Sequence, residues 1–209
     1  MNPIIEKIRK VGLVPVIKID DAAKAVPLAK ALAKGGIPVA EVTFRTACAA
    51  EAIRNISKEC PEVILGAGTV ISVEQAKAAV EAGAKYIISP DTNVDVIKKT
   101  RELGLVSMPG ALTPTEVLQA HRAGADFVKL FPVGNLGASY IKALCAPISH
   151  VKMLGVGGVN EDNVAEFLKA GVYGVGVGGN LANKKWIEAG EFDKITATAK
   201  KLVENIKNA

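Results

Sequence analysis

A glycine followed at once by an apolar run recurs at Gly36-Ile37, Gly83-Ala84, Gly104-Leu105, Gly124-Ala125 and Gly171-Val172. Each sits where an Ala/Lys/Glu-rich stretch gives way to a β-branched one. A left-handed glycine closes a helix, and a strand starting directly behind it makes a tight αβ return. A chain punctuated this way alternates helix and strand, which points to repeated βαβ units and a parallel sheet. The expected strands are Leu13 to Ile19, Val39 to Arg45, Val63 to Gly66, Tyr86 to Ser89, Leu105 to Met108, Phe127 to Phe131, Val151 to Val156 and Val172 to Val177. Between them Asp21 to Lys34, Ala47 to Glu59, Val73 to Glu81, Val94 to Leu103, Thr115 to Ala123, Ser139 to Leu144, Asp162 to Ala170 and Phe192 to Ile206 read as helices. Ser72, Asn93 and Thr113-Pro114 stand where helix N-termini want a cap or an N1 proline.

About eight strands suit a closed (βα)8 barrel of the TIM type, an α/β fold. An open doubly wound sheet is the alternative, but it calls for a glycine-rich loop after the first strand. Ile17-Lys18-Ile19-Asp20-Asp21 has no glycine. The expectation is therefore one barrel domain over residues 1–209, with a short helix-like segment around Glu6, Lys7, Arg9 and Lys10 in front.

With 49% hydrophobic and 22% charged residues, the chain has the composition of a soluble globular protein. Its longest uncharged stretch, residues 170–183, is short and glycine-rich, so no membrane span is expected. The N-terminus lacks the parts of a secretory signal, and a cytoplasmic protein is expected. Cys48, Cys60 and Cys145 are odd in number and widely spaced, which suits reduced thiols. With His121 and His150 the only histidines, no metal-site spacing arises and a mechanism without metal or cofactor is expected. The net charge of +5 comes from scattered lysines, and aromatics are only 4% of the chain. That balance fits a small anionic substrate better than nucleic acid.

Chemistry in such a barrel belongs at the C-terminal ends of the strands. In Asp126-Phe-Val-Lys129-Leu-Phe131, alternation places Phe127, Lys129 and Phe131 on one face and Val128 and Leu130 on the other. The aliphatic pair suits the helix-facing side, which turns Lys129 inward, where desolvation favours the neutral, nucleophilic amine able to form a Schiff base with a ketone. A lysine snorkelling to solvent fits the same spacing. Lys152 lies at the opposite rim, whereas Lys18 stays a candidate for substrate binding. On the second strand Glu41, Thr43 and Arg45 share a face. Glu41 suits proton transfer and Arg45 a carboxylate clamp, with a structural Glu-Arg pair closing the barrel end as the lesser alternative. Gly66-Ala-Gly-Thr69 and Pro90 read as turns, with Thr69 either a cap or a substrate ligand. Gly157-Gly158 and Gly178-Gly179-Asn180, after the seventh and eighth strands, stand where barrels hold phosphate on backbone N–H groups.

Taken together, Glu41-Val-Thr-Phe-Arg45-Thr46, Gly66-Ala-Gly-Thr69-Val70, Ile88-Ser-Pro90, Lys129-Leu-Phe131-Pro132 and Val156-Gly-Gly158-Val resemble the 2-keto-3-deoxy-6-phosphogluconate (KDPG) and 4-hydroxy-2-oxoglutarate (KHG) aldolases over essentially the whole chain. The resemblance implies a class I, cofactor-free aldolase, homotrimeric, that splits a keto acid to pyruvate and an aldehyde. It implies Lys129 as the Schiff-base lysine and Glu41 as acid/base. Arg45 and Thr69 would bind the carboxylate, Pro90 and Phe131 would pack around the pyruvyl carbons, and Gly157, Gly158, Gly178 and Gly179 would cradle phosphate. Two positions depart from the phosphogluconate pattern. Val156 replaces a threonine, as in the aldolase for the galactonate epimer, and Asn180 replaces a serine. A phosphate-binding isomerase and a catalytically silent barrel are the rival readings of the residues alone.

Overall fold

The computed structural model describes residues 2–209. Its strands β1 (Leu13–Ile17), β2 (Val39–Thr43), β3 (Ile64–Gly68), β4 (Tyr86–Ile88), β5 (Val106–Met108), β6 (Gly110–Ala111), β7 (Val128–Leu130), β8 (Met153–Val156) and β9 (Gly174–Val177) lie in the order β5-β4-β3-β2-β1-β9-β8-β7-β6. Every pairing is parallel. β5 and β6 are two halves of one stave, interrupted at Pro109, which has no N–H to give a ladder. The first half pairs with β4 and the second with β7, so the sheet closes on itself as an eight-staved barrel. Lys129 N–H donates to the Pro109 carbonyl at 2.8 Å across this seam.

Among the described residues ten α-helices accompany the strands: α1 (Pro3–Val11), α2 (Ala25–Lys34), α3 (Ala49–Glu59), α4 (Val73–Ala82), α5 (Val94–Glu102), α6 (Pro114–Arg122), α7 (Gly137–Cys145), α8 (Val164–Lys169), α9 (Lys184–Ala189) and α10 (Phe192–Lys207). Ser72 and Asn93 accept from the first-turn amides of α4 and α5, and Thr113 with Glu116 forms a reciprocal capping box on α6. All five glycines of the repeated Gly-apolar punctuation have positive φ, from 76° at Gly104 to 114° at Gly171.

Strand alternation divides the core in two. Val42, Val128, Leu130 and Val175 point outward and pack with the surrounding helices. Val14, Val39, Tyr86, Ile88, Val106, Met108, Phe127, Leu154 and Val156 point inward, joined by Ile5 and Ile8 of α1. That helix lies over the N-terminal end of the barrel. Asn2 caps its first turn and Gly12, at φ 70°, ends it and turns the chain into β1.

Three expectations need correction. Gly66-Ala67-Gly68 is not a turn but the body of β3, and the fifth stave runs past Pro109-Gly110 instead of stopping there. The short helix α9, capped by Asn183, lies in a segment read without a helix. The glycines misled because their reason is steric. A Cβ on Gly66 would lie 2.0 Å from the Tyr86 ring, which is fully buried and donates its hydroxyl to the Ala40 carbonyl at 2.6 Å. Gly176 clears Val156 in the same manner. Gly66→Ala is expected to lower stability by about 1–3 kcal/mol, the usual cost of overpacking, read as a lower denaturant midpoint at unchanged m-value. An unshifted midpoint would show that the Tyr86 ring is free to move.

Candidate active site

In an eight-staved ring β2 and β7 lie on opposite sides, so Glu41 and Lys129 extend toward each other across the barrel. Both are buried, at 1% and 6% relative exposure, in the upper part of the interior. A Cβ on Gly68 would sit 1.7 Å from Glu41 Oε1. The bare backbone of β3 is therefore the shelf on which the carboxyl rests. Glu41 Oε1 has no hydrogen-bond partner, and none of the salt bridges among the described residues includes Glu41, Lys129 or Arg45. The structural Glu-Arg pair is thus absent. Burial pushes the Glu41 carboxyl above its ordinary value, while the positive charges of Lys129 and Arg45 pull the other way. A carboxyl that holds its proton more tightly than an ordinary one is better suited to act as an acid.

Arg45, just past the end of β2, is exposed and donates Nε to Thr43 Oγ1 at 3.3 Å. The Nζ of Lys129 lies 4.8 Å from the centroid of the Phe131 ring, which closes over it at the strand end. Gly110 is paired in register with Lys129, and a Cβ there would lie 2.3 Å from the Pro90 carbonyl. This bare position brings the Pro90 loop down beside the lysine. Thr69 has φ 55°, the one non-glycine residue with positive φ among those described. For a β-branched residue that conformation is strained, and such strain gathers at functional sites. Thr69 caps nothing, since Ser72 is the cap of α4.

Beyond Phe131 opens a cleft of about 280 Å³ lined by Val16, Val156, Arg45 and both glycine loops. Among the described residues Arg45 is the only charged one on its wall. Gly157 and Gly158 have φ 96° and 75°, and Gly158 packs on the Cα of Gly134, where a side chain would not fit. The amides of Gly158, Gly179 and Asn180 donate to no other backbone group among the described residues. Asn180 Nδ2 donates to the Val159 carbonyl at 3.4 Å and ties the two loops together. Unused amides from two loops are an arrangement able to take an anion. Lys18 is not brought into this cleft. It is half exposed, 3.8 Å from Asp20, and lines a neighbouring groove with Lys184.

The buried lysine, the carboxyl with an unpartnered oxygen and the two glycine loops, all expected from the sequence motifs, stand together at one end of the barrel. Residues 4–198 match the family model of KDPG and KHG aldolase. The chain belongs to this aldolase family. A 2-dehydro-3-deoxy-phosphogluconate aldolase of Treponema pallidum (strain Nichols) is 39% identical over 206 residues, covering 98% of both chains. The KHG/KDPG aldolase of Escherichia coli (strain K12) is 39% identical over 197 residues, 93% of this chain and 92% of that one. Among solved structures, the KDPG aldolase from Legionella pneumophila with pyruvate captured as a covalent carbinolamine intermediate superposes with a TM-score of 0.86 at 30% identity, covering 94% of this chain and 96% of that one. Thr43 and Gly68 are the site residues whose parts the sequence did not reveal. Their signals were the placement of Thr43 between two charged residues on one strand face, and a glycine in register opposite it.

The raised Glu41 carboxyl has a consequence for this aldolase's stability. A group that binds its proton more tightly when folded stabilises the fold fully below its unfolded value, and that contribution is lost as pH rises through the folded one. Compared with Glu41→Gln, which carries no ionisable group there, the wild type is expected to lose ground steadily as pH rises from the ordinary carboxyl value of 4.5 toward neutrality. Denaturant midpoints of both proteins across that range check it. A difference independent of pH would contradict it.

Proposed function

We propose that Lys129 and Glu41 carry out the metal-free, Schiff-base cleavage of KDPG to pyruvate and glyceraldehyde 3-phosphate, with 4-hydroxy-2-oxoglutarate, which gives pyruvate and glyoxylate, as a second substrate. The single observation that carries the assignment is the buried amine of Lys129 facing a buried carboxyl with an unpartnered oxygen.

The amine adds to the keto carbon to give a carbinolamine. Protonated Glu41 delivers a proton to its hydroxyl, water leaves, and the iminium forms. The iminium draws electrons from the bond between C3 and C4. As that bond breaks, the C4 hydroxyl proton passes to the Glu41 carboxylate, directly or through water, and the aldehyde departs. The remaining enamine takes a proton at C3, and water then hydrolyses the imine to release pyruvate and free the lysine. Arg45 and Thr69 hold the carboxylate, while Pro90 and Phe131 pack on the pyruvyl carbons. Gly157, Gly158, Gly178, Gly179 and Asn180 take the phosphate at the outer end. Val156 and Val16 give the wall between the two ends an apolar character, which supports loose selection at the middle of the sugar acid chain.

Incubation with pyruvate and borohydride is expected to add one reduced adduct, mapped to Lys129 and missing from Lys129→Ala. A folded wild type without an adduct overturns the aldolase reading. Glu41→Gln is expected to lower kcat by about 10²–10⁴, the usual worth of a positioned acid/base, with steady-state cleavage assays as the measurement.

A homotrimer acting in the cytoplasm completes the proposal. The unpaired thiols of Cys48, Cys60 and Cys145 are compatible with a reducing compartment. No described helix is long and apolar enough to cross a membrane. Sedimentation velocity is expected to return a trimer, and a stable monomer at assay concentration would overturn that part.

A further inference from the structure

We infer that Thr43 is a positioning residue, which aims the Arg45 guanidinium at the substrate carboxylate by holding it through Nε. Thr43 is 1% exposed, on the inward face of β2 between Glu41 and Arg45. Its hydroxyl donates to the Ile17 carbonyl of β1 at 3.0 Å. A hydroxyl has one proton, so this bond leaves Thr43 Oγ1 only as an acceptor toward the cleft. Arg45 Nε donates to it at 3.3 Å, the only hydrogen bond of Arg45 among the described residues. Arg45 has no acidic partner, and its backbone lies just beyond the end of β2. Without Thr43 nothing among these contacts fixes the guanidinium plane. Gripped at Nε, the group keeps both terminal nitrogens free for the two-pronged bond that a carboxylate accepts.

The inference rests on the aldolase reading, and the test separates the two. The readout is the pyruvate concentration that half-saturates reductive trapping on Lys129, together with KM and kcat for cleavage. Thr43→Val keeps the side-chain shape and removes the acceptor. It is expected to raise the half-saturating pyruvate and KM about tenfold, the effect of losing a hydrogen bond to a charged group, with a much smaller change in kcat. Thr43→Ser, which restores the hydroxyl, is expected to return both values toward those of the wild type. In an Arg45→Ala background Thr43→Val is expected to change neither, because its effect passes through Arg45. Thr43→Ala carries the same comparison should the valine variant not fold. Equal half-saturation in wild type and Thr43→Val, or a full Thr43→Val effect without Arg45, overturns the role and leaves the aldolase reading intact. A folded wild type that traps no pyruvate overturns both.

Discussion

The interior of this barrel is too narrow for a full side chain from every stave at every level. Tyr86 occupies the space that Gly66 leaves, Val156 that of Gly176, and Glu41 that of Gly68. The chemistry depends on the last of these. A Cβ at position 68 would lie 1.7 Å from Glu41 Oε1, so the carboxyl keeps its present place because β3 carries no side chain there. A close-packed interior transmits such substitutions directly, having no slack to absorb them.

That packing also explains the electrostatics. Glu41, Lys129 and Arg45 lie near one another without closing an ion pair, because the first two are anchored on opposite staves and the third leaves the strand at its end. Pairing them would satisfy the buried charges and disable them together. Held apart, each stays unpaired: an amine with no carboxylate on it, a carboxyl with an unpartnered oxygen, and a guanidinium edge without an acid. The fold supports this tension with a large apolar core on both sides of the sheet.

Much of this was legible in the sequence, for reasons that differ by residue. The period-two pattern around Lys129 gave its direction, since Val128 and Leu130 had to face the helices. Gly-apolar punctuation marked the returns because a left-handed residue is needed at each, whatever lies around it. Gly66 and Gly68 were misread as a turn because a glycine kept for lack of bulk and one kept for positive φ look alike in a sequence. Only the neighbour across the ladder separates them. The break at Pro109 escaped for a related reason, as a missing N–H stops one residue's bond without ending the stave. Lys18 has the right parity for the interior, yet it stands 3.8 Å from Asp20 and lines the neighbouring groove. Six-residue α9 was too short for periodicity to declare it.

Helix α1 seals the lower end of the barrel with Ile5 and Ile8. The barrel is consequently a blind well, with a single opening for everything that enters or leaves. On the proposed reading pyruvate is bound to Lys129 in the upper part of the interior, and the phosphate end of the substrate rests farther out, at the rim where Gly179 and Asn180 meet solvent. In such a vessel the fragment nearest the opening must go first, and the water that frees the second must come down the path the first has vacated. The covalent bond to Lys129 sets the order of departure, and the plug leaves both fragments the same way out.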